Sequence, residues 1–267
     1  MSEFPCDGPV SANIMFAAGR CEVFAEERDS VSVSVTPHRN DKRSKEAAET
    51  TKVEFHNNTL TVQAPEGMAG MVLNFGRGSA IDISVRIPVG SSVNAKSASA
   101  PIYLGGTYGT AHATTASGNI TLEKADSASV NTASGDLHVT ECTESAKGNT
   151  VSGDLQVDFC GGPVSVKSVS GDVRLGYVGG AVTGGSVSGD ITIGTIKTGN
   201  CQLKSVSGSV SIGIASGTGV WMDLNTVSGT TSSDLAVGDM PTEGGSANAE
   251  LRVGTVSGDI DVFRSGG

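Results

Sequence analysis

Along most of the chain apolar and polar residues alternate with a period of two, and the alternation is interrupted at regular intervals by Ser-Gly. The dipeptide recurs at Ser117, Ser134, Ser152, Ser170, Ser188, Ser207, Ser228 and Ser257, with a degenerate copy at Ser99-Ala100. Successive spacings from Ser117 are 17, 18, 18, 18, 19, 21 and 29 residues, a period of 18. The third and fifth residues after the Ser are apolar in most copies, as in Leu137 and Val139, Val173 and Leu175, Ile191 and Ile193, and Ile260 and Val262. The sixth and fourth residues before it behave alike: Val164 and Val166, Cys201 and Leu203, Met222 and Leu224, Leu251 and Val253. Each pair marks a strand with one buried face. The strands meet at two corners per period, the Ser-Gly and a glycine-rich bend such as Gly161-Gly162 or Gly179-Gly180. Glycine gives such corners positive φ without steric cost.

Two short strands cannot close a core within one period, so each unit must stack on the next with its strands paired in parallel. The predicted fold class is all-β: a parallel β-solenoid, a flattened β-roll or β-helix turning once per 18-residue period. Residues 91–267 carry the repeats. Residues 6–88 lack Ser-Gly but read as strands at 14–16, 21–25, 31–35, 53–56, 60–63 and 81–87, with Pro37, Pro65 and Pro88 ending three of them. The charged stretch 40–50 reads as a short helix. Terminal strand edges of a solenoid need covering, so residues 1–90 are expected to form an N-terminal β cap. The long spacing before Ser257 contains 236–248, expected to be a surface loop inserted into the repeats. The last turn, 258–263, has only four residues after it and is expected to leave an open edge, with Asp261 and Arg264 discouraging end-to-end pairing.

The alternating valines closed by Pro37, the strand at 60–65, the segment 81–90 and the serial Ser-Gly-Asp turns, including Gly219-Val220-Trp221-Met222-Asp223-Leu224, carry a resemblance. Over nearly its whole length the chain resembles the bacterial "putative adhesin" family of β-strand repeat proteins, particularly actinobacterial members. The resemblance implies a parallel β-solenoid with an N-terminal β cap and brings no catalytic residues with it.

Composition narrows the chemistry. The 267 residues include 37 Gly against one Trp, three Tyr and seven Phe, which describes a thin core of Val, Ile, Leu and Ala. A net charge of −10 argues against nucleic acid or an anionic lipid surface as partner. No run of about 18 apolar residues encodes a membrane span. The acidic N-terminus fits no secretory signal, so a cytoplasmic location and an intracellular interaction role are expected. The five cysteines, Cys6, Cys21, Cys142, Cys160 and Cys201, form no C-x-x-C pair and are expected as reduced thiols.

Two residues after each Ser stand Asp136, Asp154, Asp172 and Asp190. Stacked one strand apart they would repel by roughly 1 kcal/mol per pair even in water, and two arrangements relieve this. Each Asp can accept backbone N–H bonds at the corner, or calcium can bind between turns. The second makes these four residues the candidate metal ligands. Two hydroxyl columns also follow from the repeat: Thr115, Thr132, Thr150, Ser168, Ser186, Ser205, Thr226 and Thr255, and the Ser of each Ser-Gly. If both face outward they form a flat array resembling an ice-binding surface. Cys142 and Cys160 share an apolar column with Ala125, Val178, Ile196 and Ala215 and are expected to be buried. The cluster His38, Arg39, Lys42, Arg43, Lys45 reads as a solvated face. Of nucleophile-elbow, P-loop, zincin and dinucleotide motifs the chain carries none, and no cofactor is implied. The function expected is a non-enzymatic, adhesin-like interaction protein presenting a repetitive surface to a macromolecule, a protein or a copy of itself. A calcium-binding β-roll and a carbohydrate-active β-helix enzyme are the alternatives.

Overall fold

The computed structural model describes residues 2–65, 79–235 and 248–266; the expected loop at 236–248 falls, but for Asn248, outside them. The described residues are almost entirely strand, with one helix, and divide into two compact units, Met1–Ser134 and Gly135–Gly267.

The first unit holds β1 (Ser2–Pro5), β2 (Ser11–Glu26), β3 (Ser30–Pro37), α1 (Lys42–Thr50), β4 (Lys52–His56), β5 (Thr59–Gln63), β6 (Ile81–Pro88), β7 (Ser92–Ser99), β8 (Ile102–Ser117) and β9 (Ile120–Ser134). Although β2 lacks Ser-Gly, it makes a corner at Gly19, where φ is +121° and a Cβ would lie 1.9 Å from the Ile81 carbonyl oxygen. Only glycine fits there. The leg before this corner pairs in parallel with β5 on one edge and β7 on the other; the leg after it pairs with β6 and β8. Residues 11–26 therefore lie between the strands 59–63 and 81–88 on one edge and the circuit beginning at Ser92 on the other, out of chain order. Ala12, Ile14, Cys21 and Val23 face inward with Leu60, Val62, Ile83, Val93, Ile102 and Leu104, all buried. The outer edges of β5 and β6 are taken by antiparallel β4 and β3, and β1 pairs with β3. The helix begins where the Asp41 carboxylate accepts the Ser44 N–H at 2.9 Å, an N-cap.

The second unit holds β10 (Leu137–Ser152), β11 (Leu155–Cys160), β12 (Val164–Ser170), β13 (Val173–Val178), β14 (Val182–Ser188), β15 (Ile191–Ile196), β16 (Gly199–Ser207), β17 (Val210–Ile214), β18 (Gly219–Ser228), β19 (Thr231–Ser233), β20 (Asn248–Ser257) and β21 (Ile260–Arg264). Parallel partners along the first turns stand 18 residues apart: Leu137 faces Leu155, Leu155 faces Val173 and Val173 faces Ile191. The legs before the corners are also parallel and in register, Val164 with Val182 at the same 18-residue separation and Val182 with Cys201 at 19.

Chain order breaks near the C-terminus. The β16 leg pairs not with β18 but with β20, and β18 pairs with the far edge of β20; β17, β21 and β19 repeat this order. The expectation that 258–263 carries the open edge is thus corrected, since the final circuit lies inside the penultimate one. The residues give the reason. The final circuit buries Leu251, Val253, Ile260 and Val262, none more than 2% exposed. The penultimate one sets Thr231 and Ser233 opposite Ile260 and Val262, and burying those hydroxyls unpaired would cost about 1–3 kcal/mol each. On the outside they stay solvated, with Met222 and Leu224 half-buried. Arg264, rather than standing guard at an edge, donates to the carbonyls of Ala215 at 3.0 Å and Thr218 at 2.8 Å.

A cavity in the inserted circuit should therefore loosen its outer neighbour. Leu251→Ala is expected to cost about 2–5 kcal/mol. Hydrogen exchange across residues 219–228 should then accelerate at least as much as across 199–207; acceleration confined to 199–207 would contradict the inserted order.

Candidate interaction surface

At each Ser-Gly corner the chain turns through a glycine with positive φ that touches the corner of the neighbouring circuit. At Gly171 φ is +128°, and a Cβ would lie 2.2 Å from the Gly153 carbonyl oxygen. Three columns emerge here: the residue before the Ser, the Ser, and the Asp two residues after it.

The Asp column is a hydrogen-bonded ladder. Asp136 accepts the Asp154 N–H at 3.0 Å, Asp154 that of Asp172 at 2.9 Å, Asp172 that of Asp190 at 3.0 Å, and Asp190 that of Ser209 at 2.8 Å, in every case through Oδ1. Each bond joins one circuit to the next instead of closing its own turn. The second oxygens of Asp154 and Asp172 accept from Arg174 at 3.2 and 2.6 Å, which offsets the repulsion along the column. Asp259 repeats the motif on Thr230, accepting its N–H at 2.8 Å and its hydroxyl at 2.9 Å, and these bonds hold the Asp259 carboxyl below its ordinary pKa. Among the described residues no three His, Cys, Asp or Glu side chains are grouped to hold a metal ion.

The paired outward hydroxyl columns are a correction. The Thr and Ser two residues before each Ser-Gly Ser point inward: Thr115, Thr132, Thr150, Ser168, Ser186, Ser205 and Thr255 are all buried. Several donate to a corner carbonyl, as Ser168 does to Gly171 at 3.2 Å and Thr226 to Gly258 at 3.0 Å. Only the Ser-Gly serines stay outside, so the flat two-column array does not form.

Between the buried hydroxyls and the exposed serines lies a column the sequence displays but its motifs do not single out. Val151, Val169, Val187, Val206, Val256 and Val227 stand one per circuit before each Ser, 45–82% exposed. Their offset from the inward positions is odd, which in a strand places them on the solvent face. That parity was the available signal.

Other candidates take modest places. Cys142 faces Cys160 in register, both buried as free thiols, and burial raises the Cys160 pKa. The same column continues through Val178 and Ile196 to Ile214, not Ala215, because the register shifts between Ile193 and Ile196. His138 lies 2.9 Å from Asp158. Burial pushes the Asp158 carboxyl up, but its bonds to His138 and Gln156 outweigh this and leave it below the ordinary value. His38 meets Asp82 at 2.7 Å, and the cations of 42–45 lie on the exposed face of α1. Phe159 and Tyr177 stack on each other at 5.0 Å.

A family model described as Toastrack DUF4097 matches residues 12–263, which spans every circuit above. The chain belongs to this family. No curated protein matches it significantly. Among solved structures it is similar to a "putative adhesin" from Bacteroides fragilis NCTC 9343, at 12% identity over 98% of this chain and 95% of that one, with a TM-score of 0.45. It is similar also to two proteins from Parabacteroides distasonis ATCC 8503. One is a "putative adhesin", at 7% identity over 97% and 95%, TM-score 0.43; the other is a "putative lipid binding protein", at 14% over 98% and 95%, TM-score 0.40. No helix among the described residues is long and apolar enough to cross a membrane.

Two outcomes follow from the ladder. Asp172→Ala should speed exchange of the Asp190 amide about tenfold, the loss of one charge-assisted bond, while Asp172→Asn, which keeps an acceptor oxygen, should change it far less; equal effects would contradict the assigned bond. Because its pKa is lowered on folding, Asp259 stabilises the Thr230 contact above the ordinary aspartate range, and that contribution is lost as pH falls through the depressed value. The Thr230 amide NMR shift should titrate below that range and stop titrating in Asp259→Asn; a midpoint at or above it would contradict the contact.

Proposed function

We propose that this Toastrack DUF4097 protein is a non-enzymatic interaction module. In this reading it is a β-solenoid of 18-residue circuits, with the antiparallel strands before residue 91 forming an N-terminal β cap and its flat repetitive faces offered to a macromolecular partner. The observation that carries it is the outward periodicity: columns of Val, Ser and Asp recur on successive circuits, on legs joined by minimal corners. A face of that kind suits recognition of another extended or periodic surface, whereas hydrolysis of a glycan needs a pair of carboxyl groups set about 5–10 Å apart across a cleft. The antiparallel strands β3 and β4 support the cap, since they occupy edges that would otherwise invite pairing.

Calcium is the second reading, carried by the stacked carboxylates Asp136, Asp154, Asp172 and Asp190. Their Oδ1 atoms are already engaged by N–H groups, and Arg174 sits between two of the second oxygens, which favours turn-to-turn bonding over ion binding.

Capture on the immobilised full chain tests the first reading. Wild type should retain a macromolecule from its native cells that is released when an exposed face position, Thr183→Lys or Thr192→Lys, is changed without loss of fold. Equal retention by both variants, or turnover of a polysaccharide by the purified chain, would overturn it. Calorimetric titration with calcium should give no heat and no rise in melting temperature; a signal abolished by Asp154→Asn would turn the assignment to the β-roll.

A further inference from the structure

We propose that the valine stripe of residues 135–267 is a homodimer interface, covered by the same stripe of a second copy of this chain lying alongside it in parallel. The inference rests on the interaction reading above and gives that reading a surface and an occupant.

The stripe is a concentration of apolar surface. Nine large apolar side chains are exposed among the described residues, and Val151, Val169, Val187, Val206, Val227 and Val256 are six of them. Register sets them side by side, since the serines that follow them pair as Ser152 with Ser170, Ser170 with Ser188, Ser188 with Ser207, Ser207 with Ser257 and Ser257 with Ser228. At one strand spacing per step the line is about 24 Å long. Scattered exposed valines need no account, but a contiguous line does.

The corner does not demand valine. Ala116 and Ala133 hold the equivalent place before Ser117 and Ser134, and the glycines that follow, Gly118 and Gly135, have φ of +152° and +140°, close to the +133° of Gly153. Alanine therefore serves the same turn, and the larger side chain gains stability only if something covers it.

Charge and spacing identify the occupant. On one side of the stripe stand the exposed cations Lys167 and Lys204, in one register column with Gly185 between them, and one outward position further off Lys147 and Arg252, the latter 2.6 Å from Glu250; on the other side runs the column Asp136, Asp154, Asp172, Asp190 and Asp259. A matching surface must be apolar along its centre, acidic opposite the lysines and basic opposite the aspartates, and must repeat at the spacing of adjacent strands. The stripe's own image about a two-fold axis running along it meets every condition. Each valine meets its counterpart, and Lys167 of one copy comes to the side of Asp172 of the other. A two-fold across the stripe would set Lys against Lys and Asp against Asp, which like-charge repulsion disfavours. The contact is isologous and closes at two copies.

Sedimentation of the full chain over a concentration series is the test, with circular dichroism to check folding. Wild type should double in mass on concentration. The triple variant Val169→Thr, Val187→Thr, Val206→Thr keeps β-branched side chains suited to strands and should weaken the dimer about tenfold or more. If it fails to fold, Lys167→Glu, at an exposed position, should weaken the dimer instead. Under glutathione disulfide, Val151→Cys and Val256→Cys should each form a disulfide-linked homodimer, as a two-fold along the stripe requires. A constant monomer mass overturns the proposal while leaving the capture experiment to judge the wider reading. A dimer unmoved by the stripe variants, or cross-linking only between the two different cysteine variants when mixed, overturns it as well.

Discussion

Parallel, in-register pairing of one circuit with the next is the constraint on which the molecule depends. Because a strand alternates its side chains with a period of exact parity, a partner in register stacks inward residue on inward residue, and a slip of one would turn every Val and Ile of a leg to solvent. In the second unit the pattern runs from Leu137 through Leu155, Val173 and Ile191 to Val210 without a fault in parity. Neither leg can be dry alone. Each circuit takes part of its core from the circuits on either side, so a circuit is as stable as its neighbours allow.

That dependence explains the departures from chain order. A circuit in the interior of the stack must supply apolar residues on both legs; one at an end need not. Residues 219–233 supply Met222 and Leu224 on one leg but Thr231 and Ser233 on the other, and they lie outside the later circuit 248–264, which buries Leu251 and Val253 on one leg and Ile260 and Val262 on the other. In the first unit, residues 11–26 lie inside the strands 59–63 and 81–88, whose outer edges carry the antiparallel strands β4 and β3. In the second unit the enclosed circuit is the one whose inward positions are apolar on both legs; in the first, Leu60, Val62, Ile83 and Val85 are buried as fully as Ala12, Ile14, Cys21 and Val23, and the antiparallel strands cover the outer edges.

Much of this was legible from the residues. The Ser-Gly period, the inward pairs on either side of it, the helix at 42–50 and the buried cysteine column all follow from parity and turn chemistry. What escaped has physical causes. Gly19 makes a corner with alanine before it instead of serine, so β2 hid its circuit. The inserted order of 248–264 depends on comparing two circuits for burial, which a periodic pattern alone does not do. The register shift before Ile214 moves the column off Ala215, and spacing cannot report a bulge. The Asp ladder was legible as a column but not as a chain of bonds between circuits, because a short polar side chain beside a glycine looks the same whether it caps its own turn or the next. The valine stripe was present in the repeat as an outward residue, and its significance appears only when Ala116 and Ala133 are set beside it.

Inward columns thus hold the circuits together and outward columns face solvent, while in the Asp ladder Oδ1 binds the next circuit and the carboxylate stays at the surface. The most direct test of the stacking itself is disulfide mapping at three outward positions in register, Gln202, Arg252 and Asp223. Adjacent parallel strands place paired Cα atoms about 5 Å apart, within disulfide reach. Gln202→Cys with Arg252→Cys, and Arg252→Cys with Asp223→Cys, should each form an intramolecular bond. Gln202→Cys with Asp223→Cys should not, because a strand lies between them; a bond in that pair and none in the other two would contradict the stacking described above.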